Sequence, residues 1–250
     1  MSAATPRFGF AGLGVMGVPM SRHLLAAGPL IVWNRTQSRA DGRGEDGARR
    51  AQTPAEVLDG ADSVGVCVLD GAAVREIALG ENGFVAAGDK AGKVVVDFSS
   101  IAPEDAREIA EELATHGVGW IDAPVSGGVT GADKATLSIM VGCSDEDALA
   151  KVMPTFEATG KNIFRCGPLG AGHAMKCLNN YLSAVGLTAS NEALLIGPQC
   201  GLEPSAMVDI LTVSPARTRS LARRRRPSGW CAHAFTMALA RVRERRGILI

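Results

Sequence analysis

The sequence predicts an α/β fold in which a doubly wound, mostly parallel sheet is followed by a smaller all-α region. Three observations predict it. Short β-rich runs alternate with helical stretches over the first two thirds of the chain. A GxGxxG loop, Gly12-Leu13-Gly14-Val15-Met16-Gly17, stands directly between the first run and the first helical stretch. After Gly167-Pro168 the strand signal stops.

Strands are expected at Arg7–Ala11, Leu30–Trp33, Val64–Val68, Val94–Phe98, Trp120–Ala123 and Leu137–Val141, with Ile163–Arg165 as a last one. Helices are expected between them at Gly17–Ala27, Pro54–Gly60, Ala72–Ala78, Pro103–His116 and Asp145–Phe156. Pro54 and Pro103 fall where a first helical turn tolerates proline. Thr53 before Pro54 is a good N-cap, and Ala102 before Pro103 is not. Gly170–Gly197 reads as one long helix, with Lys176, Asn180 and Ala184 at helical spacing on one face. Pro204–Leu211 reads as a shorter helix. The expected domains are therefore 1–167, the α/β part, and 168–250, the helical part. There are no internal repeats.

Composition bounds the function class. The chain has 250 residues, 46% apolar and 21% charged, enough for a real core in an ordinary soluble protein. No apolar run reaches the roughly 18 residues of a membrane span. The start, MSAATPRFGFAG, lacks the basic region and apolar stretch of a signal peptide. Six cysteines are scattered without a CxxC pair and read as reduced thiols, so a cytoplasmic location is expected. Four histidines form no ligand motif, and no metal is expected. The net charge of zero hides an asymmetry. Residues 1–214 hold 16 basic and 25 acidic side chains; residues 215–250 hold ten arginines, no lysine and one acid, Glu244.

The motifs point to chemistry. Gly12 permits a tight turn, Gly14 lets backbone approach a pyrophosphate, and Gly17 allows close packing of helix on strand. The amides at the helix start then face the phosphates. An acid at the end of the second strand would bind the ribose 2′-OH of NAD. The chain reads Trp33-Asn34-Arg35-Thr36 there, and Arg35 can pair with a 2′-phosphate while Asn34 and Thr36 donate to it. NADP(H) is thus the preferred cofactor and NAD(H) the alternative. Leu69, just after the Val64–Val68 run, joins the cofactor-binding set.

Ser99-Ser100 follows the fourth long strand, where open α/β sheets bind ligands. Ser100 fits a contact to the nicotinamide ribose and a plain helix cap equally well. Ser126-Gly127-Gly128 can cradle a carboxylate with backbone amides and a hydroxyl; alone, a turn is the plainer reading. Lys176 is the only lysine of the helical region. Partial burial would lower its pKa and let it exchange protons near neutral pH. Asn180, one turn on, is placed to orient that amine or a substrate. A lone helical lysine is otherwise usually a solvated one.

Four motifs in this order carry a family resemblance: GLGVMGVPMSRHL, DFSSIAP, DAPVSGGVTGADKATLSIMVG and GPLGAGHAMKCLNN. From residue 7 to about 213 the chain resembles the β-hydroxyacid dehydrogenases. That family includes 3-hydroxyisobutyrate dehydrogenases, tartronate semialdehyde and glyoxylate/succinic semialdehyde reductases and, more distantly, 6-phosphogluconate dehydrogenase. The resemblance implies a Rossmann-type domain, a helical domain, and hydride transfer between nicotinamide C4 and the carbinol carbon of a small 3-hydroxy acid or its semialdehyde. It implies Lys176 as general acid/base, assisted by Asn180, and Ser126, Gly127 and Gly128 as holders of the substrate carboxylate. Gly12, Leu13, Gly14, Val15, Met16 and Gly17 match the dinucleotide loop, Asn34, Arg35 and Thr36 the NADP-type adenosine end, and Ser100 the ribose contact. The implied partners are a small anionic substrate and a second copy of the chain, with no membrane.

The chain departs from the family toward its C-terminus. Family members carry a further Lys-Asp pair near the active site, and this chain has no lysine after Lys176. Phe235–Ile250 faintly resembles the helix that should hold the pair, with Val242, Arg243 and Glu244 near the expected positions. Ser214–Ala234, with the run Arg223–Arg226, matches nothing expected there. Its composition is that of a GC-rich coding sequence read out of frame. Residues 214–250 are therefore expected to be aberrant, leaving the helical domain incomplete and both dimerisation and activity compromised. An intact single frame for this tail in independent isolates would overturn that expectation. Two further readings stand beside the dehydrogenase. An imine reductase shares the fold, but the SGG turn, Lys176 and Asn180 fit an anionic carbonyl substrate better. A catalytically impaired NADP-binding protein could bind nucleic acid through the arginine tail, yet only Trp230 and Phe235 are there to stack on bases. A salt-dependent DNA shift without turnover would favour that last reading.

Overall fold

A computed structural model of the chain describes residues 5–39 and 47–213. The arginine-rich segment 214–250, with the expected aberrant tail and the remnant helix at 235–250, lies outside the described residues.

The strands are β1 (Phe8–Ala11), β2 (Leu30–Trp33), β3 (Arg49–Arg50), β4 (Ser63–Val66), β5 (Val94–Asp97), β6 (Gly119–Asp122), β7 (Val125–Ser126), β8 (Leu137–Gly142) and β9 (Gly160–Gly167). Between them run α1 (Gly17–Ala27), α2 (Pro54–Gly60), α3 (Gly71–Leu79), α4 (Pro103–Thr115), α5 (Gly128–Asp133) and α6 (Glu146–Thr159). They are followed by α7 (Ala171–Ile196) and α8 (Pro204–Val213).

The sheet runs β3-β2-β1-β4-β5-β6-β8-β7, with β9 also pairing with β8. From β3 to β6 every pair is parallel. This is the doubly wound order, and it reverses between β1 and β4, where such sheets open a ligand crevice at the carboxyl ends of the strands. The period-two pleat divides the apolar residues between two cores. Phe8, Phe10, Val94, Val96 and Phe98 enter one, whereas Ala11, Val64, Val66 and Val95 enter the other. Burial on both faces explains why these strands read as continuous apolar runs. Phe98 stacks on Phe10 and meets Phe156 of α6 edge-on.

The helix starts follow from capping. Thr53 accepts the Glu56 amide at 3.2 Å with Pro54 in the first turn, as expected. Asp70 and Asp145 cap α3 and α6 through their carboxylates. Ala102 precedes α4 without a side-chain cap, so Ser100 does not cap that helix.

The described residues fall into two compact units, one ending at Leu178 and the other beginning at Asn179, within α7. The second contains the remainder of α7, a 3-10 turn at Gly197–Cys200 and α8.

Candidate active site

The nucleotide loop leaves β1 at Gly12, whose φ of 102° is open to glycine and strained for other residues. A Cβ at Gly12 would overlap the Cys67 carbonyl, and one at Gly17 would overlap the Gly12 carbonyl. Gly17 is therefore needed by the loop itself as much as by helix–strand packing. Gly14 is different: nothing lies within 4 Å of the place where its Cβ would be. Its openness is toward whatever the loop binds. Leu13 is buried, Val15 is exposed, and Met16 is half-buried.

The end of β2 braces this loop. Asn34 is buried, and its Oδ1 accepts the Leu13 amide at 2.8 Å. Its Nδ2 donates to the Thr36 carbonyl at 2.9 Å, and the Arg39 amide donates to the same carbonyl at 3.0 Å. The carboxamide expected to face a 2′-phosphate is thus committed to the loop and the turn. Arg35 and Thr36 are exposed.

A cleft of about 470 Å³ opens at the switch point between β1 and β4. Of the sequence-predicted residues, Gly12, Gly14, Asn34, Arg35, Thr36 and Leu69 line it. Leu69 stands at its lip with 89% of its surface exposed. Arg39, Cys67, Val68, Asp70 and Glu76 also line it and were not read from the sequence. Arg39 lies four residues beyond Arg35 in the turn that the Thr36 carbonyl closes, a position the strand-end reading did not reach. Among the described residues neither guanidinium has an ion-pair or hydrogen-bond partner. Burial, then the nearby Asp97 carboxylate, pushes the Cys67 thiol up to about 12, so it is an inert wall. Glycine loop, open backbone at Gly14 and unpaired arginines together fit a dinucleotide with its pyrophosphate on the loop.

The remaining predicted residues do not line this cleft. Ser100 is exposed after β5; its neighbour Ser99 is buried, and the Ser99 hydroxyl accepts the Val68 amide at 3.0 Å. Ser126 ends β7, and Gly127 and Gly128 follow with φ of 139° and 62°. Lys176 is half-buried on α7, and burial lowers its ammonium pKa below the ordinary value. Asn180, four residues on, is exposed and belongs to the second unit.

The start of α7 is held from below. Asp122, at the end of β6, accepts the Gly170 amide at 2.7 Å and the His173 amide at 2.8 Å. Burial pushes the Asp122 carboxyl upward, and these two amides pull it back.

Comparisons with known proteins agree with this architecture. Residues 7–167 match the family model for the NAD-binding domain of 6-phosphogluconate dehydrogenase. Residues 170–240 match the one described as NAD-binding of NADP-dependent 3-hydroxyisobutyrate dehydrogenase. The second match runs into the arginine-rich segment, further than the resemblance to about 213 read from the sequence. An NAD-dependent L-serine dehydrogenase of Pseudomonas aeruginosa is 41% identical over 203 residues, 81% of this chain and 67% of that protein. The structure of Mycobacterium tuberculosis 3-hydroxyisobutyrate dehydrogenase with L-serine superposes with a TM-score of 0.77 at 33% identity, covering 86% of this chain and 72% of that one. An imine reductase from a Pseudomonas species shares the fold at a TM-score of 0.69 and 23% identity, covering 84% of this chain and 72% of that one. No helix among the described residues is long and apolar enough to cross a membrane. Motifs, sheet order and family models agree: the chain belongs to the β-hydroxyacid dehydrogenase family.

Proposed function

We propose that the chain is an NADP(H)-preferring dehydrogenase of small 3-hydroxy acids, or a reductase of their semialdehydes, with Lys176 as the general acid/base. The observation that carries the cofactor preference is the pair Arg35 and Arg39 on the cleft wall, with no acid at the end of β2. Two guanidiniums without a partner among the described residues suit a 2′-phosphate, where NAD would need an acceptor for its ribose hydroxyl.

The bound nicotinamide supplies or accepts the hydride; the chain's residues handle the proton and the charge. In the oxidative direction Lys176 takes the hydroxyl proton as a neutral amine, and in the reductive direction its ammonium returns one to the carbonyl oxygen. Desolvation of Lys176 supports the amine form. The positive-φ turn at Gly127 and Gly128, with the Ser126 hydroxyl, presents donors for a substrate carboxylate.

Turnover tests this reading. The full chain would be offered NADPH or NADH with succinic, tartronate or methylmalonate semialdehyde, and NADP+ with L-serine or 3-hydroxyisobutyrate. Reduced nicotinamide is followed by absorbance. NADPH-dependent turnover lost in Lys176→Ala is the expected result. Turnover retained in Lys176→Ala would remove the lysine from the reaction.

A further inference from the structure

A buried polar chain runs from the cofactor cleft to the helix of Lys176, and the proposed reaction does not use it. It begins at the cleft wall, where the Val68 amide donates to Ser99 Oγ at 3.0 Å. The Ser99 amide donates to Asp97 Oδ1 at 2.9 Å. Asp97 Oδ2 faces His173 Nε2 at 3.3 Å, with both side chains 0% exposed. Alongside, Asp122 pairs with Asp97 in register across β5 and β6. Asp122 receives the Gly170 and His173 amides at the first turn of α7.

The Asp97–His173 contact is a poor source of stability. Two buried carboxylates and a buried imidazole cost desolvation, and the Asp97–His173 contact is too poorly aligned to return much of it. Apolar packing would hold the helix at less cost. What the polar chain supplies is direction. Asp122 caps two amides that a helix start leaves free, which sets where α7 begins. His173 is fully enclosed facing Asp97, so rotating α7 about its axis would have to withdraw the ring from its buried place. Lys176 lies three residues further, within one turn of that anchor. Gly142 abuts the Asp122 carboxylate so closely that a Cβ there would overlap it, and a Cβ at Gly172 would meet the Met140 carbonyl first and then the same carboxylate. A misplacement of about 1 Å in a reacting group can cost about a hundredfold in rate.

We propose that Asp97 and His173 are positioning residues for Lys176, tied through Ser99 to the cofactor cleft, with Asp122 holding the first turn of α7. The proposal rests on the reading of Lys176 as acid/base. Asp97→Asn and His173→Gln, alone and together, test it in the full chain. Each single substitution is expected to lower kcat at least tenfold, with KM and NADPH affinity within twofold of the parent. The double variant is expected to lose no more than the worse single.

A second readout does not need turnover. The rate of Lys176 acylation by acetic anhydride, measured by mass spectrometry against the chain's other lysines, is expected to change at least threefold in each single variant. Unchanged kcat, additive losses in the double variant, or losses matched by a smaller folded fraction with unchanged labelling would overturn the proposal. Where a single variant does not fold, His173→Asn replaces it, because it removes the ring that faces Asp97 and keeps a small polar side chain in the buried place. A kcat loss or labelling change of at least threefold supports the proposal, and the absence of both overturns it. If Lys176→Ala keeps full turnover, the acid/base reading falls, while labelling still decides whether Asp97 and His173 set the lysine.

Discussion

Asn34 Oδ1 accepts the Leu13 amide at 2.8 Å, and this one buried hydrogen bond ties the end of β2 to the nucleotide loop. It gives Asn34 a role different from the direct phosphate contact expected from the sequence. Asn34→Ala leaves the Leu13 amide buried without its acceptor, a cost of about 1–3 kcal/mol. If that cost falls on the loop, NADPH affinity drops about tenfold. Fluorescence titration of NADPH would show it, and an unchanged Kd would mean the loop holds its shape unaided.

Arg35 and Arg39 share the cleft wall, and both are exposed and unpaired among the described residues. Each charge-assisted bond to a 2′-phosphate is worth about 1.5–3 kcal/mol. Arg35→Ala and Arg39→Ala should each weaken NADPH about tenfold or more and leave NADH within twofold. Equal losses for both cofactors would place the arginines away from the 2′ position. Raising salt should compress the NADPH-to-NADH ratio in the parent protein, because exposed charges are screened.

Much of this was legible in the sequence, and the gaps have physical causes. The parallel strands were readable because burial on both faces makes them unbroken apolar runs. Arg49–Arg50 carries no such run; it is a strand only because it pairs with Ile31 and Val32. Val125–Ser126 and the short helix after it were hidden inside what read as one glycine turn. Only the antiparallel register with β8 makes β7 a strand. The loop glycines and Arg35 were legible because their chemistry is local. Arg39 was not, since its place on the cleft depends on a turn closed by a carbonyl. The Asp97–His173 contact was beyond reach, because those residues stand far apart in the chain and meet only after β5 and α7 are assembled.

The loop glycines should separate by function. Gly17→Ala puts a methyl onto the Gly12 carbonyl, and backbone cannot yield there cheaply. It should lower Tm and abolish NADPH binding together. Gly14→Ala meets nothing within 4 Å, so stability should change by about 0.5 kcal/mol or less. Cofactor binding should still weaken, because the methyl occupies the approach to the loop. A Gly14→Ala protein with parental Tm and parental NADPH affinity would show that the pyrophosphate does not cross this loop.

Lys93 tests the fold apart from the site. It is buried, and its Nζ donates to the Leu58 and Asp59 carbonyls at 2.7 and 2.8 Å and pairs with Asp89 at 3.2 Å. These carbonyls lie near the C-terminus of α2, where a cation is favoured. Lys93→Met keeps the stem and removes the charge. It should cost about 1–3 kcal/mol through two carbonyls left without their donor. Chemical denaturation would measure this, and NADPH affinity should stay unchanged.

The pH dependence of turnover follows from Lys176. Burial holds its pKa below the ordinary 10.5, by disfavouring the ammonium. Oxidation needs the neutral amine, so kcat for hydroxy-acid oxidation should rise with pH and level off through a midpoint below 10.5. Reduction needs the ammonium, so kcat for the semialdehyde should fall through the same midpoint. Stability carries the matching sign. Because the folded pKa is lowered, the unfolded chain binds this proton more tightly. The group therefore costs stability below its folded pKa, and the cost fades as pH rises to 10.5. Lys176→Met should then raise Tm at neutral pH while abolishing turnover. A stabilised and inactive variant is the signature of a lysine kept for its chemistry. A variant destabilised at neutral pH would instead mark Lys176 as a structural residue.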